Sequence, residues 1–327
     1  MRPRPDYSYS STLAPSIEGL IAERRASGFM YNSAEYILKE IDTFCIENNH
    51  TSETVTKDLA DKWSMLRDTE GWARRKSRVS ILRQLSKYII SLGGTAYLPP
   101  AIQSGNYKLS HIFSPKERIE FFGAMGTLTM HRNGKYSDIL LEESRVIFRL
   151  YYCCGLRFSE PLDLKWENVN LNEGWLKILQ SKGYKDRILW LPEDILEMLR
   201  EYKDKVSITF PKAEYVFPGA KPGGRIGDNT VRTHFRRALA KTSCAGISNP
   251  PTIKSFRHTF VVDRLNQWIA DGEDVMKKLP YLCKFLGHSS IRESLYYYHE
   301  VEEAFNIIRE KDKTSKIVIP EVIPYEA

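Results

Sequence analysis

Residues 254–299, KSFRHTFVVDRLNQWIADGEDVMKKLPYLCKFLGHSSIRESLYYYH, set the reading of the whole chain. Lys254 and Arg257 lie three positions apart, which puts them on one face of a helix. Phe256, Phe260, Leu265, Trp268 and Ile269 supply the apolar side of that helix. Pro280 fits the first turn of a following helix. Gly287 is a C-terminal stop, with His288 just past it. Three tyrosines follow, Tyr296, Tyr297 and Tyr298. Consecutive helical positions differ by about 100°, so one of the three can face a given site. Cations beside a phenol suit attack on a phosphodiester, because fixed positive groups stabilise charge spreading over phosphate oxygens. A tyrosine can also hold the phosphate covalently between two transesterifications. Taken singly, a histidine at position 288 is more often a capping or core residue than a catalytic one, and adjacent tyrosines are most often packing residues.

Upstream, residues 114–129 and 137–153 have helical patterning. The second run ends in YYCCGLRFSE (151–160), where Gly155 stops the helix. Arg157 falls at a turn among Leu156, Phe158 and Leu162. A guanidinium in such an apolar turn needs a partner, either Glu160 or a bound phosphate. WLKILQ (175–180) and DRILWLP (186–192) read as two short strands joined by SKGYK, a β-hairpin turning at Gly183. Lys182 sits at the hairpin mouth, where a lysine otherwise serves to blunt a sheet edge. Residues 193–206 and 230–242 are helical, and the latter carry Arg232, His234, Arg236 and Arg237 as a basic cluster. The intervening loop, YVFPGAKPGGRIG, lacks either phosphate-cradling glycine spacing.

The first hundred residues read as four helices. They start near Ser16, near Ser33 (stripe Tyr36, Ile37, Ile41, Phe44), over residues 55–66, and near Glu70. The last carries Val79, Leu82, Leu85, Ile89 and Leu92 at helical spacing and stops at Gly93–Gly94. Its residues 71–88 include Arg74, Arg75, Lys76, Arg78, Arg83 and Lys87 and no acid. A one-signed face is the footprint of phosphate contact. A solvated helix of uneven charge is the alternative. Pro99–Pro100 and Gly105 mark a boundary. The expected organisation is a flexible arm (1–12), a helical domain with a DNA-facing helix (13–100), a linker (101–112), a second domain (113–300), and a C-terminal helix and tail (301–327). The fold class is mainly α with a small antiparallel β-sheet.

Composition narrows the function. The 327 residues are 42% hydrophobic and 27% charged, as in ordinary globular proteins, and the net charge of +7 favours a polyanionic partner. Cys45, Cys153, Cys154, Cys244 and Cys283 show no C-x-x-C spacing, which argues against a disulfide framework or a zinc site. No apolar run approaches the roughly 18 residues of a membrane span. The N-terminus has no signal-peptide core. A cytoplasmic, nucleoid-associated protein without metal or cofactor is expected.

The order GLRFSE, SKGYKDR, KSFRHTF, LGHSSI, YYYH resembles the catalytic domain of the tyrosine recombinase (phage integrase) family over most of residues 110–300. Five separated motifs in the right order make the likeness specific. The resemblance implies a two-domain DNA clamp, with the N-terminal helices as core-binding domain. It implies catalytic roles for Arg157, Lys182, Lys254, Arg257, His288 and Tyr297, with Glu160 and His299 as supporting neighbours. Lys254 stands where histidine is commoner. Tyr297 is singled out because it lies nine residues after His288 and is followed by x-His. DNA contacts are expected from Arg74, Arg75, Lys76, Arg78, Arg83, Arg232 and Arg236. The implied activity is site-specific recombination through a 3′-phosphotyrosyl intermediate, without metal or ATP. The implied partners are duplex DNA with a core site, a homotetramer at synapsis, and accessory DNA-bending proteins. The tail, with VEEAFNIIRE and KIVIPEVIP, is expected to dock in cis or on a neighbouring protomer. The competing readings are a catalytically inactive DNA-binding protein of this fold, and a topoisomerase- or telomere-resolvase-like strand transferase.

Overall fold

The computed structural model describes residues 7–103, 110–129, 136–179, 186–220, 223–288 and 290–295. Lys182, Tyr297, His299 and the tail lie outside the described residues. The chain divides into two compact units, Met1–Lys108 and Leu109–Ala327.

The first unit holds α1 (Ala14–Ala26), α2 (Asn32–Glu47), α3 (Lys57–Ser64) and α4 (Trp72–Ser91). Helix α4 packs against the other three. The stripe of Leu82, Leu85 and Ile89 closes a core with Ile17, Leu20, Leu38, Ile41 and Trp63. Thr56 caps α3 by accepting the N–H of Leu59, an interaction worth about 1 kcal/mol. Three expectations need correction here. Tyr36 is exposed, because Ile37, Leu38 and Ile41 already fill the buried face of α2. The described end of the N-terminal arm is held in place: buried Asp42 accepts the N–H groups of Ser10 and Ser11, and Thr12 donates to Ser52 O. Arg78 is fully buried instead of lying on a basic surface. Its guanidinium pairs with both oxygens of Glu70 at 2.7 Å, and it donates to Met65 O at 2.9 Å and to Trp63 O.

The second unit begins with α5 (Pro115–Gly126), closed by a reciprocal cap between Ser114 and Glu117. It continues with α6 (Ser137–Cys154) and the single turn α7 (Ser159–Leu162). A sheet follows, built from β1 (Val169–Asn170), β2 (Trp175–Ile178) and β3 (Arg187–Trp190). The strands are antiparallel in the order β1-β2-β3, with Leu176 opposite Leu189. The sequence pattern foretold only the β2–β3 pair. Two-residue β1 is too short to show any alternation. Then come α8 (Glu193–Thr209), α9 (Asp228–Leu239), α10 (Ile253–Ala270), α11 (Val275–Leu286) and α12 (Ile291–Leu295). Helices α6 and α10 meet at the centre. There Phe113, Phe121, Phe148, Phe235 and Phe256 form one aromatic core. Full burial of each such ring contributes roughly 2–3 kcal/mol. Pro280 sits inside α11, not in its first turn, since the helix already starts at Val275 with Asp274 accepting the N–H groups of Met276 and Lys277. Among the described residues, no helix is long and apolar enough to cross a membrane.

Candidate active site

Two glycines with left-handed backbone bring the site together. Gly155 (φ 57°) ends α6, and a Cβ there would lie 2.7 Å from the Phe260 ring. Gly287 (φ 67°) ends α11, and a Cβ there would lie 3.2 Å from the Nη1 atoms of both Arg157 and Arg187. Neither position accommodates a side chain without strain.

Three guanidinium groups converge on the last carbonyls of α11. Arg157 Nη2 donates to Gly287 O at 2.6 Å. Arg187 Nε donates to Phe285 O at 2.7 Å. Arg257 Nη2 donates to Leu286 O at 2.8 Å, and its Nη1 donates to Gly155 O at 2.7 Å. A helix C-terminus carries partial negative charge from its unpaired carbonyls, which suits these cations. Glu160 braces two of them. It pairs with both terminal nitrogens of Arg187 at 2.7 and 2.9 Å, with Arg157 Nη1 at 3.1 Å, and with the Arg157 N–H at 2.7 Å. This fork-to-fork geometry fixes orientation as well as charge. Arg187 and Arg257 are buried, while the Arg157 side chain keeps 23% of its surface exposed.

His288 stands in the field of this cluster. Its N–H closes the α11 C-terminus by donating to Cys283 O. Its Nδ1 lies 2.7 Å from Ser294 Oγ, which lies 3.0 Å from Cys283 Sγ. Ser294 is fully buried on α12. Burial and then the charges of Arg257, Arg157 and Arg187 push the His288 pKa down to about 3. The ring is therefore neutral at physiological pH. When the serine hydroxyl donates to Nδ1, the ring proton sits on Nε2. His258 on α10 is likewise held neutral, with a pKa near 4, by burial and by the charges of Lys254 and Arg257. Lys254 itself is exposed in the first turn of α10. An open cavity of about 1010 Å³ borders the cluster, lined in part by Lys177, Asp186, Arg187, Lys284, Gly287 and His288.

The structure thus gathers Arg157, Glu160, Arg257 and His288, which the sequence reading named, and adds Arg187 and Ser294, which it missed. Arg187 carried a usable signal: it alternates in phase with Leu189 and so points to the buried face of β3. Ser294 carried none, because its position depends on how α12 folds back on α11. Among the basic residues, Arg232 is exposed, 4.1 Å above the ring of Phe158, the neighbour of Arg157. Arg236 is exposed one turn on. His234 does not belong to that cluster. It is buried against Ser144, and burial and the charge of Arg237 lower its pKa to about 4. In the first unit Lys76 is exposed and Arg83 half-buried. Arg74 pairs with Glu40 at 2.6 Å, and Arg75 donates to Ser64 O at 2.7 Å.

Residues 136–304 match the phage integrase family. The chain belongs to that family. A probable integrase/recombinase protein of Methanocaldococcus jannaschii is 31% identical over 162 residues, 49% of this chain and 46% of that protein. A tyrosine recombinase of Agathobacter rectalis is 31% identical over 154 residues, 47% of this chain and 46% of its own length. The chain spans about half the length of these two curated relatives. The site-specific recombinase XerH, solved bound to a palindromic difH substrate after cleavage, shares the fold with a TM-score of 0.61. It is 18% identical and the superposition covers 92% of this chain and 84% of XerH.

Proposed function

We propose that this phage integrase family protein is a site-specific DNA recombinase that cuts and rejoins duplex DNA through a 3′-phosphotyrosyl link. The observation that carries the reading is the convergence of Arg157, Arg187 and Arg257 beside neutral His288. Guanidinium groups fit pairs of phosphate oxygens and favour the charge that builds up as a phosphodiester is attacked. Arg157 and Arg257 bind the non-bridging oxygens, and Glu160 with Arg187 holds Arg157 in place. A histidine with so low a pKa is a weak base, so His288 acts as an N–H donor to the phosphate. Tyr297 attacks phosphorus, and Lys182 protonates the departing 5′-oxygen. The incoming 5′-hydroxyl of another strand reverses the step, and the energy of the broken bond is kept in the phosphotyrosine. Lys254 bonds the phosphate from the edge of α10, and His299 supports Tyr297.

In this reading both units bind the duplex, and four protomers assemble on two sites. Arg232 and Arg236 contact backbone phosphates near the site, and Arg74, Arg75, Lys76 and Arg83 do so from α4. The protein acts in the cytoplasm at the nucleoid, and accessory DNA-bending proteins shape its substrate.

The test uses nicked suicide duplexes chosen by binding from a randomised library. Covalent protein–DNA adduct is expected without added metal and lost in Tyr297→Phe. Loss in Tyr296→Phe or Tyr298→Phe, with Tyr297→Phe still active, overturns the assignment of the nucleophile. No adduct from any duplex that binds favours a DNA-binding protein without catalysis.

A further inference from the structure

A second cluster of reactive side chains lies away from the arginine site. His111, at the entry to the second unit, places Nε2 3.2 Å from Glu117 Oε2. Cys244, in the turn after α9, points its Sγ at Glu117 Oε1, also 3.2 Å away. The imidazole nitrogen, the thiol sulfur and a carboxylate oxygen all lie within 4.8 Å of one another. The sequence pointed away from a metal site, because its five cysteines show no C-x-x-C spacing. The fold brings them together by packing α5 against α9.

Each donor is anchored independently. The His111 ring packs edge-on to Phe113 at 5.7 Å. Glu117 is fixed by the α5 cap, where it accepts the Ser114 N–H at 2.7 Å through Oε2 and leaves Oε1 to the thiol. Cys244 is buried, its N–H is held by Thr242 Oγ1, and neighbouring Ser243 donates twice to Glu120. One nitrogen, one sulfur and one oxygen form the donor set of a borderline-soft divalent cation. With bonds of about 2.0–2.3 Å, such ligands stand roughly 3.3–3.8 Å apart around zinc. The cluster therefore needs side-chain movement of only about 1 Å. The side chains of His111 and Glu117 keep 16% and 19% of their surface exposed, which admits a water as fourth ligand.

We propose that His111, Glu117 and Cys244 bind a zinc-class divalent cation that fastens the entry of the second unit to the end of α9. Cys244 binds as thiolate, its proton leaving to solvent, and no electron changes hands. The role is structural. The cation steadies the helix that carries Arg232 and Arg236 and takes no part in phosphoryl transfer.

The test titrates the chelator-treated full chain with cobalt(II). A thiolate-to-cobalt charge-transfer band in the near ultraviolet is expected at one equivalent, bleached by added zinc. It should persist in Cys283→Ser and vanish in Cys244→Ser. His111→Gln should weaken zinc binding by at least about tenfold. Zinc should raise the Tm of the parent chain and leave that of Cys244→Ser unchanged. Should Cys244→Ser fail to fold by circular dichroism, His111→Gln carries the comparison. No charge-transfer band at saturating cobalt, a band that survives Cys244→Ser, or zinc affinity unchanged in His111→Gln overturns the proposal.

Discussion

Arg78 in the first unit and Arg187 in the second are both buried arginines, yet they do opposite things. Arg78 meets Glu70 one to one, and the backbone carbonyls of Trp63 and Met65 accept two more of its hydrogens. Its charge is spent on holding α4 to the loop after α3. Arg187 shares Glu160 with Arg157, and Arg257 beside them bonds to carbonyls. Burial first, and then the positive field of that cluster, suppresses the proton affinity of His288. A buried acid on another helix extends the comparison. Glu143 on α6 has no hydrogen-bond partner for either oxygen among the described residues, and burial pushes its pKa up to about 9. The ratio of cation to carboxylate, more than the presence of arginine, separates a structural tie from a candidate anion site.

Removing Arg78 should have the largest effect. Arg78→Ala takes the guanidinium from Glu70, whose side chain keeps 5% of its surface exposed, and is expected to cost about 3–5 kcal/mol of stability in urea unfolding. The fraction that stays folded should bind DNA as before; a selective loss of affinity would mean that Arg78 reaches phosphate after all. Arg187→Ala takes away the partner that holds Glu160 against Arg157 and should slow covalent adduct formation by about 10²-fold, the cost of misplacing a positioned group. An unchanged rate would break the three-arginine account.

Glu143 makes the comparison pH-dependent. Its folded pKa of about 9 lies above the ordinary 4.5. The unfolded chain therefore releases its proton first as pH rises. Stability from the neutral form is complete below about pH 4.5 and is lost progressively towards pH 9. Glu143→Gln should gain about 2 kcal/mol relative to the parent chain between about pH 5 and about pH 7, read from urea midpoints. Parallel stability curves for the two proteins would show that Glu143 has a cation partner. The smallest effect is expected at Ser294. Ser294→Ala removes one hydrogen bond from His288, worth about 1 kcal/mol, and should slow cleavage about fivefold, with Ser294→Thr restoring it. A full-rate Ser294→Ala variant would remove the serine from the tautomer argument.

Much of this was legible beforehand. Helical spacing located α1, α2, α4, α6 and α10, because burying one face demands that period. Gly155 and Gly287 could be read as stops, and Arg157 could be paired with Glu160, because these are local matters within one or two turns. The run of positive charge in α4 misled at Arg78. Charge along a sequence does not say which face of a helix is buried, and Trp63, Met65 and Glu70 had first to fold around that position. Pro280 misled for a similar reason: the Asp274 cap starts α11 a full turn before the proline.

By itself the sequence determined the order of helices and the arginine and histidine types that mark the family, since periodicity, caps and motif order are written along one dimension. Tertiary structure alone decided that Arg187 joins the cluster, that Ser294 sets His288, and that His111, Glu117 and Cys244 meet. Each of those pairings is made across elements distant in the chain, where packing of apolar faces, not local propensity, fixes the distance.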